Sequence, residues 1–183
     1  MHMMKRILGL TSAVFLALTA GCLLTKDFPT PGMVPPNDLV SLVVSTTPTE
    51  TSGQTGGGTI GLSSIGDEEV LYVEGFKAVW FDLTERVELL PGGSYAISVD
   101  VRSKEDISTI YFHVKVQDQL LYSKNERVET SWKEVRLEFK VPSELSDGKL
   151  TLHFGIEVAE DAKFYIRKLN IIPILQTGEA EAQ

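Results

Sequence analysis

Through most of residues 94–174, apolar side chains recur at every second position. Tyr95, Ile97, Val99 and Val101 share one side of a first segment, and Ile110, Phe112, Val114 and Val116 repeat the arrangement in a second. Val135, Leu137, Phe139 and Val141 form a third set, and Leu150, Leu152, Phe154, Ile156 and Val158 a fourth. A period of two lets each segment bury one face and wet the other, as the strands of an antiparallel sandwich must. A last strand is expected over 164–174. Leu90, Pro91, Gly92 and Gly93 make a turn before the first segment, since proline presets one dihedral and glycine accepts positive φ.

Upstream the pattern is looser. Residues 38–45, with Leu39, Val40, Leu42, Val43 and Val44, predict a first strand suited to a sheet edge. A polar loop rich in Thr, Ser and Gly is expected over 46–58, then a short strand at 58–63. Two strands flank Gly75, and in the second Val79, Phe81 and Leu83 oppose Ala78, Trp80 and Asp82. Gln117, Asp118 and Gln119 break the next strand, with a short return over 120–122 and a charged loop over 124–130. No amphipathic helix longer than a turn or two interrupts the series, so the crossover helices of parallel βαβ folds are missing. No internal repeat points to a propeller or solenoid.

Length and charge narrow the picture. The chain has 183 residues, enough for one domain with a real core. Its formal charge is −8, and a cut that removes Lys5 and Arg6 takes it to about −10. Nucleic acid and anionic lipid are thereby disfavoured as partners, because phosphate contacts need a basic field.

The N-terminus reads as a targeting segment. Lys5 and Arg6 precede an apolar run over 7–18, and Thr19, Ala20 and Gly21 lead to Cys22. Leu18 to Cys22 (Leu-Thr-Ala-Gly-Cys) resembles the lipobox of bacterial lipoproteins. The resemblance implies a signal peptide over 1–21, cleavage before Cys22, and diacylglycerol (with palmitate-type acylation) on the new terminus. The apolar run is short for a spanning helix, which needs about 20 residues. Cys22 is the only cysteine, so an intrachain disulfide is excluded. Residues 22–37 then form a proline-rich tether, 38–175 the sandwich, and 176–183 a solvated tail. In such lipoproteins an aspartate after the cysteine signals inner-membrane retention. Leu23 instead implies a lipid-anchored protein of the outer membrane or cell surface.

Leu89, Gly93, Ser94, Tyr95 and Arg102, then Trp132, Val135 and Phe139, then Phe164, Ile166, Leu169 and Ile171 resemble the xylan- and glucan-binding carbohydrate-binding modules. That resemblance implies an all-β antiparallel sandwich with a jelly-roll, galactose-binding-domain-like fold, and a glycan as ligand on the concave face of one sheet or at its edge loops. The family's last strand often carries an aspartate associated with structural calcium. Here Arg167 and Lys168 stand in that segment, and Glu50 and Gly53 match the early calcium-ligand region only loosely. Asp67, Glu68, Glu69 or Asp161 supply oxygen should a calcium bind; no other cofactor is expected.

A glycan site wants exposed rings beside hydrogen-bonding side chains. The strand faces opposite the apolar sets offer Asp100, Arg102, Tyr111, His113, Gln117 and His153. Trp80 is the best stacking platform if Val79, Phe81 and Leu83 are core, and a structural plug if it fills the second face of a central strand. Tyr122 and Asn125 are secondary, loop-borne candidates. Trp132 reads as core or rim. Catalysis has no motif behind it: no nucleophile elbow, no paired-histidine metal motif and no phosphate loop, only Asp100 and Glu138 as carboxylates that could face one another. The expected function is a non-catalytic, lipid-anchored, glycan-binding envelope protein, with a structural or protein-interaction sandwich of an envelope assembly as the alternative. A glycan-active enzyme, which needs a deep pocket with two close carboxylates, is the third.

Overall fold

The computed structural model describes residues 32–48, 57–105, 108–145, 148–158 and 163–175. The leader, Cys22, most of the tether, Glu50, Gly53, Asp161 and the tail lie outside them. Among the described residues the elements are β1 (Met33–Val34), α1 (Pro36–Ser41), β2 (Val43–Pro48), β3 (Thr59–Ile65), β4 (Glu68–Glu74), β5 (Phe76–Asp82) and β6 (Ser94–Ser103). They continue as β7 (Ser108–Val116), β8 (Gln119–Val128), β9 (Lys133–Lys140), β10 (Leu152–Val158) and β11 (Lys163–Pro173). Sheet A runs β3-β4-β11-β6-β9, with β1 also on β11, and sheet B runs β2-β5-β10-β7-β8. Every pairing is antiparallel. The fold is an antiparallel two-sheet sandwich, as the alternation predicts, and is consistent with the jelly-roll type that the resemblance implies.

The core lies between the sheets and is made from the alternating apolar sets. Phe81, Phe112, Phe154 and Phe164 are among its largest fully buried side chains. Phe154 on β10 lies between Phe81 on β5 and Phe112 on β7, each ring pair 6.3 Å apart. From sheet A, Tyr95 and Phe139 stack at 5.7 Å. Each such side chain contributes about 1.5–3 kcal/mol on burial. The Tyr95 hydroxyl accepts from Leu90 N–H at 2.7 Å and donates to the Glu88 carbonyl at 3.1 Å, tying the preceding loop to the core. The turn closes with Gly93 N–H donating to Leu90 O at 2.9 Å. Gly92 sits at φ +75° there, as a type II turn with proline at its second position requires.

β11 changes sides partway. Phe164 and Ile166 point inward, and so do Leu169 and Ile171, which have the opposite parity. A bulge between Arg167 and Asn170 reconciles them, with Lys168 in the left-handed region at φ 53°.

Several expectations are corrected. The apolar run at 38–45 opens as helix α1, because Pro36 is preset for a first helical position and fully buried Leu39 needs only one inward face. Residues 32–37, read from composition as tether, belong to the sandwich: β1 pairs with β11 and Val34 is fully buried. Residues 124–128 are strand, not charged loop, since β8 runs to Val128. Their charges are matched locally, Glu126 lying 2.7 Å from Lys124 and 2.5 Å from Lys133. Gln117 (φ 49°) and Asp118 (φ 62°) form the two-residue turn of the β7–β8 hairpin, so Gln117 stands at the sheet end. No helix among the described residues is long and apolar enough to cross a membrane.

Candidate functional site

Because Val79 and Phe81 point into the core, Trp80 projects from the outer face of sheet B. Gly155 of β10 lies directly across from it, and on Gly155's other side stands His113 of β7. A Cβ at position 155 would come within 2.6 Å of the indole, so glycine leaves the room in which the ring lies against the strand. The imidazole of His113 stacks beside the indole at 5.8 Å and 20°. Lys115 holds its ammonium 4.1 Å from the indole centroid.

The neighbouring rows complete the surface. Ala78, Glu157, Tyr111 and Asn125 align across β5, β10, β7 and β8 on one side, and Asp82, His153 and Lys115 on the other. Both ring nitrogens of His113 are buried without a hydrogen-bond partner, although Nε2 lies 3.4 Å from a Glu157 carboxylate oxygen. Burial opposes the charge of Asp82, yet its pKa falls below the usual aspartate range. Hydrogen bonds from Thr84, its backbone N–H at 2.9 Å among them, and the nearby His153 and Lys149 outweigh that burial.

Sheet B therefore gathers Trp80, Tyr111, His113 and His153, with Asn125 exposed beside Tyr111. The remaining candidates stand elsewhere. Gln117, in its turn, donates through Nε2 to the Lys149 carbonyl at 3.2 Å. Tyr122 packs against the core because it pairs with inward-facing Val114. Asp100 and Arg102 lie on β6 and project from the outer face of sheet A, on the far side of the sandwich. They do not share a site with His113.

On that second face a row of rings and cations crosses the sheet. Tyr72, Tyr165 and Arg102 are in register on β4, β11 and β6, and the Tyr72 and Tyr165 rings are 5.2 Å apart. The Arg102 guanidinium lies 5.7 Å from the Tyr165 centroid and 5.8 Å from that of Trp132, which half-buried Trp132 shares with Arg167 at 4.1 Å. Arg167 donates to Asp100 at 3.0 Å and pairs with Glu68. Glu138 is paired with Arg136 and sits opposite Ala96, four residues along β6 from Asp100. At about 3.3 Å per residue that separates the two carboxylates too far for an acid–base pair.

Among the described residues no three His, Cys, Asp or Glu side chains converge as a metal site. Glu68, named as a calcium ligand from sequence, is taken by Arg167. A polar recess of about 570 Å³ lies at residues 84–89 and 148–150 and contains none of the candidates. Alternation turns Lys115 outward beside His113, but neither its place over the indole nor the part of Gly155 follows from that pattern alone. A glycine in the interior of an alternating strand is the signal that marks Gly155, and alternation marks Tyr72 and Tyr165 as outward-facing.

This architecture resembles the folds of solved carbohydrate-binding modules. The CBM22-2 xylan-binding domain from Paenibacillus barcinonensis Xyn10C matches with a TM-score of 0.56 and 12% identity, over 79% of this chain and 100% of that one. The tandem CBM22-1-CBM22-2 of the same enzyme gives 0.52 and 15%, over 77% of this chain and 48% of the tandem. A BiXyn10A module described as CBM1, apo, gives 0.50 and 14%, over 79% and 98%. At these identities the likeness is one of fold. No family model matches the chain, and no curated protein matches it.

Proposed function

We propose that this chain is a non-catalytic glycan-binding module whose ligand lies across the outer face of sheet B. The observation that carries the reading is Trp80, laid against Gly155 with His113 beside it. A flat apolar ring in the middle of a sheet, with a polar fringe, suits a pyranose ring: its CH face stacks and its hydroxyls are held at the margin. Tyr111, Asn125, Glu157, Asp82 and His153 supply that fringe. Lys115 overhangs the indole, and its flexible stem lets the ammonium move aside and donate to a ring hydroxyl. The unpartnered nitrogens of His113 gain a partner when a ligand hydroxyl or the nearby Glu157 closes on them.

Xylan oligomers come first as probes, because the similar Paenibacillus domain is described as xylan-binding. Calorimetric titration of xylo-, gluco- and manno-oligosaccharides tests the reading. Heat with at least one class, lost in Trp80→Ala, is the expected result. Absence of heat with every class would leave the sheet B face without a glycan ligand and favour a protein partner. We also propose that Cys22 carries a lipid anchor that holds the module at an outer envelope surface. Metabolic labelling with palmitate, lost in Cys22→Ser, is the expected result; an unlabelled wild-type chain overturns it.

A further inference from the structure

We infer that Arg102, flanked by Tyr165 and Trp132, forms a second ligand site on the outer face of sheet A, and that it takes a sugar residue bearing a carboxylate, a hexuronic acid within an otherwise neutral glycan. Charge pairing and burial together single the residue out on this face, where Lys104 and Lys140 also lack an ion pair among the described residues but are exposed lysines. Arg167 is engaged by Asp100 and Glu68, Lys168 lies 3.7 Å from Asp100, and Lys163 reaches Glu74 and Glu105. Arg102 stands in none of the ion pairs among the described residues, and its Nε is buried with no acceptor. A buried donor left unmade costs about 1–3 kcal/mol, and no carboxylate of the described residues stands within ion-pair distance of this guanidinium to offset that cost. Its outer N–H donors are thus left for a ligand acceptor.

The rings give the guanidinium its orientation. With the Tyr165 and Trp132 centroids 5.7 and 5.8 Å away, the planar group is held by aromatic contacts without a carboxylate. A guanidinium so fixed presents paired N–H donors that match both oxygens of one carboxylate, a geometry no ammonium reproduces. Tyr165 extends the row to Tyr72, and both rings are half-buried with Lys104 5.2 Å from the Tyr72 ring. A sugar whose carboxylate meets Arg102 would lay its ring along the tyrosines. The formal charge of −8 sets the ligand's character further. A dense polyanion is repelled by such a chain, whereas one carboxylate among neutral residues meets the local cation at little long-range cost.

The chain has two tryptophans, one on each face, and their indole N–H resonances report the faces separately. In nitrogen-15 spectra of the whole chain, assigned with Trp80→Phe and Trp132→Phe, a short oligosaccharide with one hexuronic acid is titrated against its carboxyl-reduced counterpart. The expected result is a saturating shift of the Trp132 resonance with the acidic sugar and none with the reduced one. Arg102→Gln removes that shift and Arg102→Lys weakens it at least about tenfold, the Trp80 resonance staying in place as the check on folding. A static Trp132 resonance, an equal response to the reduced sugar, or a response that survives Arg102→Gln overturns the site. An equal response to acetate or a short acidic peptide overturns the sugar assignment. Binding seen at Trp80 bears on sheet B alone, so the two proposals fail separately.

Discussion

The two outer faces of this sandwich both display aromatic rings, and they use them in opposite ways. On sheet B, Trp80 rests on the backbone of Gly155, and among its close neighbours only Lys115 is a fixed charge. On sheet A, Trp132 has the Arg167 and Arg102 guanidiniums 4.1 and 5.8 Å from its centroid. A ring that leans on a glycine keeps a face for stacking once the flexible Lys115 side chain moves aside. A ring clasped by arginine has spent its faces on orienting the cation, and what it offers a ligand is the cation's donors. The difference separates a platform for neutral sugar rings from a clasp for a negative group.

The sharpest way to break that comparison is to remove each tryptophan. Trp80→Ala should weaken neutral-glycan binding about 30-fold, since losing a central interface aromatic costs about 2 kcal/mol or more. Trp132→Ala should leave it within about twofold. Calorimetry on both variants decides the matter: equal losses would mean that the faces do not divide the work as described.

Gly155→Ala tests why the platform exists. A methyl group there meets the indole at 2.6 Å and must lift it, whereas alanine is otherwise no worse than glycine in a strand. Binding should fall about tenfold while the thermal midpoint hardly moves. If affinity is kept, the flat seating of Trp80 is incidental. Sheet A shows no equivalent seat, because Trp132 precedes β9 and is positioned by side chains.

Most of the scaffold was legible in the sequence and only half of the site was. Alternation gives the facing of every residue on β6, β7, β9 and β10, because period-two burial is a local property. It shows that Asp100, Arg102, Tyr111 and His113 all point outward. It does not show that β6 and β7 belong to different sheets, since that depends on which strands pair across the chain. Arg102 and His113 thus look alike in sequence and lie on opposite sides of the molecule. The same limit hid Gly155, whose importance appears only when β5 is seen to lie beside β10. Residues 38–41 read as the start of a strand yet form the body of α1, because six helical residues are too few to separate a helical from a strand period and burial of Leu39 satisfies either.

The acids of the two faces also differ in what they contribute to stability. Asp82 on sheet B has its pKa lowered against the effect of burial by the Thr84 hydrogen bonds, with His153 and Lys149 adding to them. A folded pKa below the unfolded one means stability that is present above the unfolded value and lost as pH falls through the folded one. Asp82→Asn should therefore cost about 1 kcal/mol at pH 7, and the gap to wild type should close in strong acid. Glu74 on sheet A is also lowered, by the Tyr72 hydroxyl and then Lys163, but it stands half-exposed at the end of β4. Glu74→Gln should barely register. Urea midpoints measured at neutral and strongly acidic pH read both; a gap for Asp82→Asn that is constant with pH would exclude the carboxylate as its source.

The smallest effect belongs to the bulge that lets sheet A present Arg167 to Trp132. Lys168 is held at φ 53°, where a side chain costs about 1–2 kcal/mol. Glycine removes that strain, but its freer unfolded chain takes back about 0.4–1 kcal/mol. Lys168 also lies 3.7 Å from the mostly buried Asp100, a long contact through a half-exposed ammonium worth about 0–1 kcal/mol that glycine would lose. The terms nearly cancel, so Lys168→Gly should leave stability within about 0.5 kcal/mol of wild type. Lys168→Val loses the same ion pair and places a β-branched side chain at positive φ, so it should be destabilised by about 1 kcal/mol or more relative to the glycine variant. The difference between the two variants isolates the backbone conformation from the charge. Equal stabilities would mean that the bulge relaxes when its side chain changes, and that the facing of Arg167 toward Trp132 is not fixed by the left-handed residue beside it.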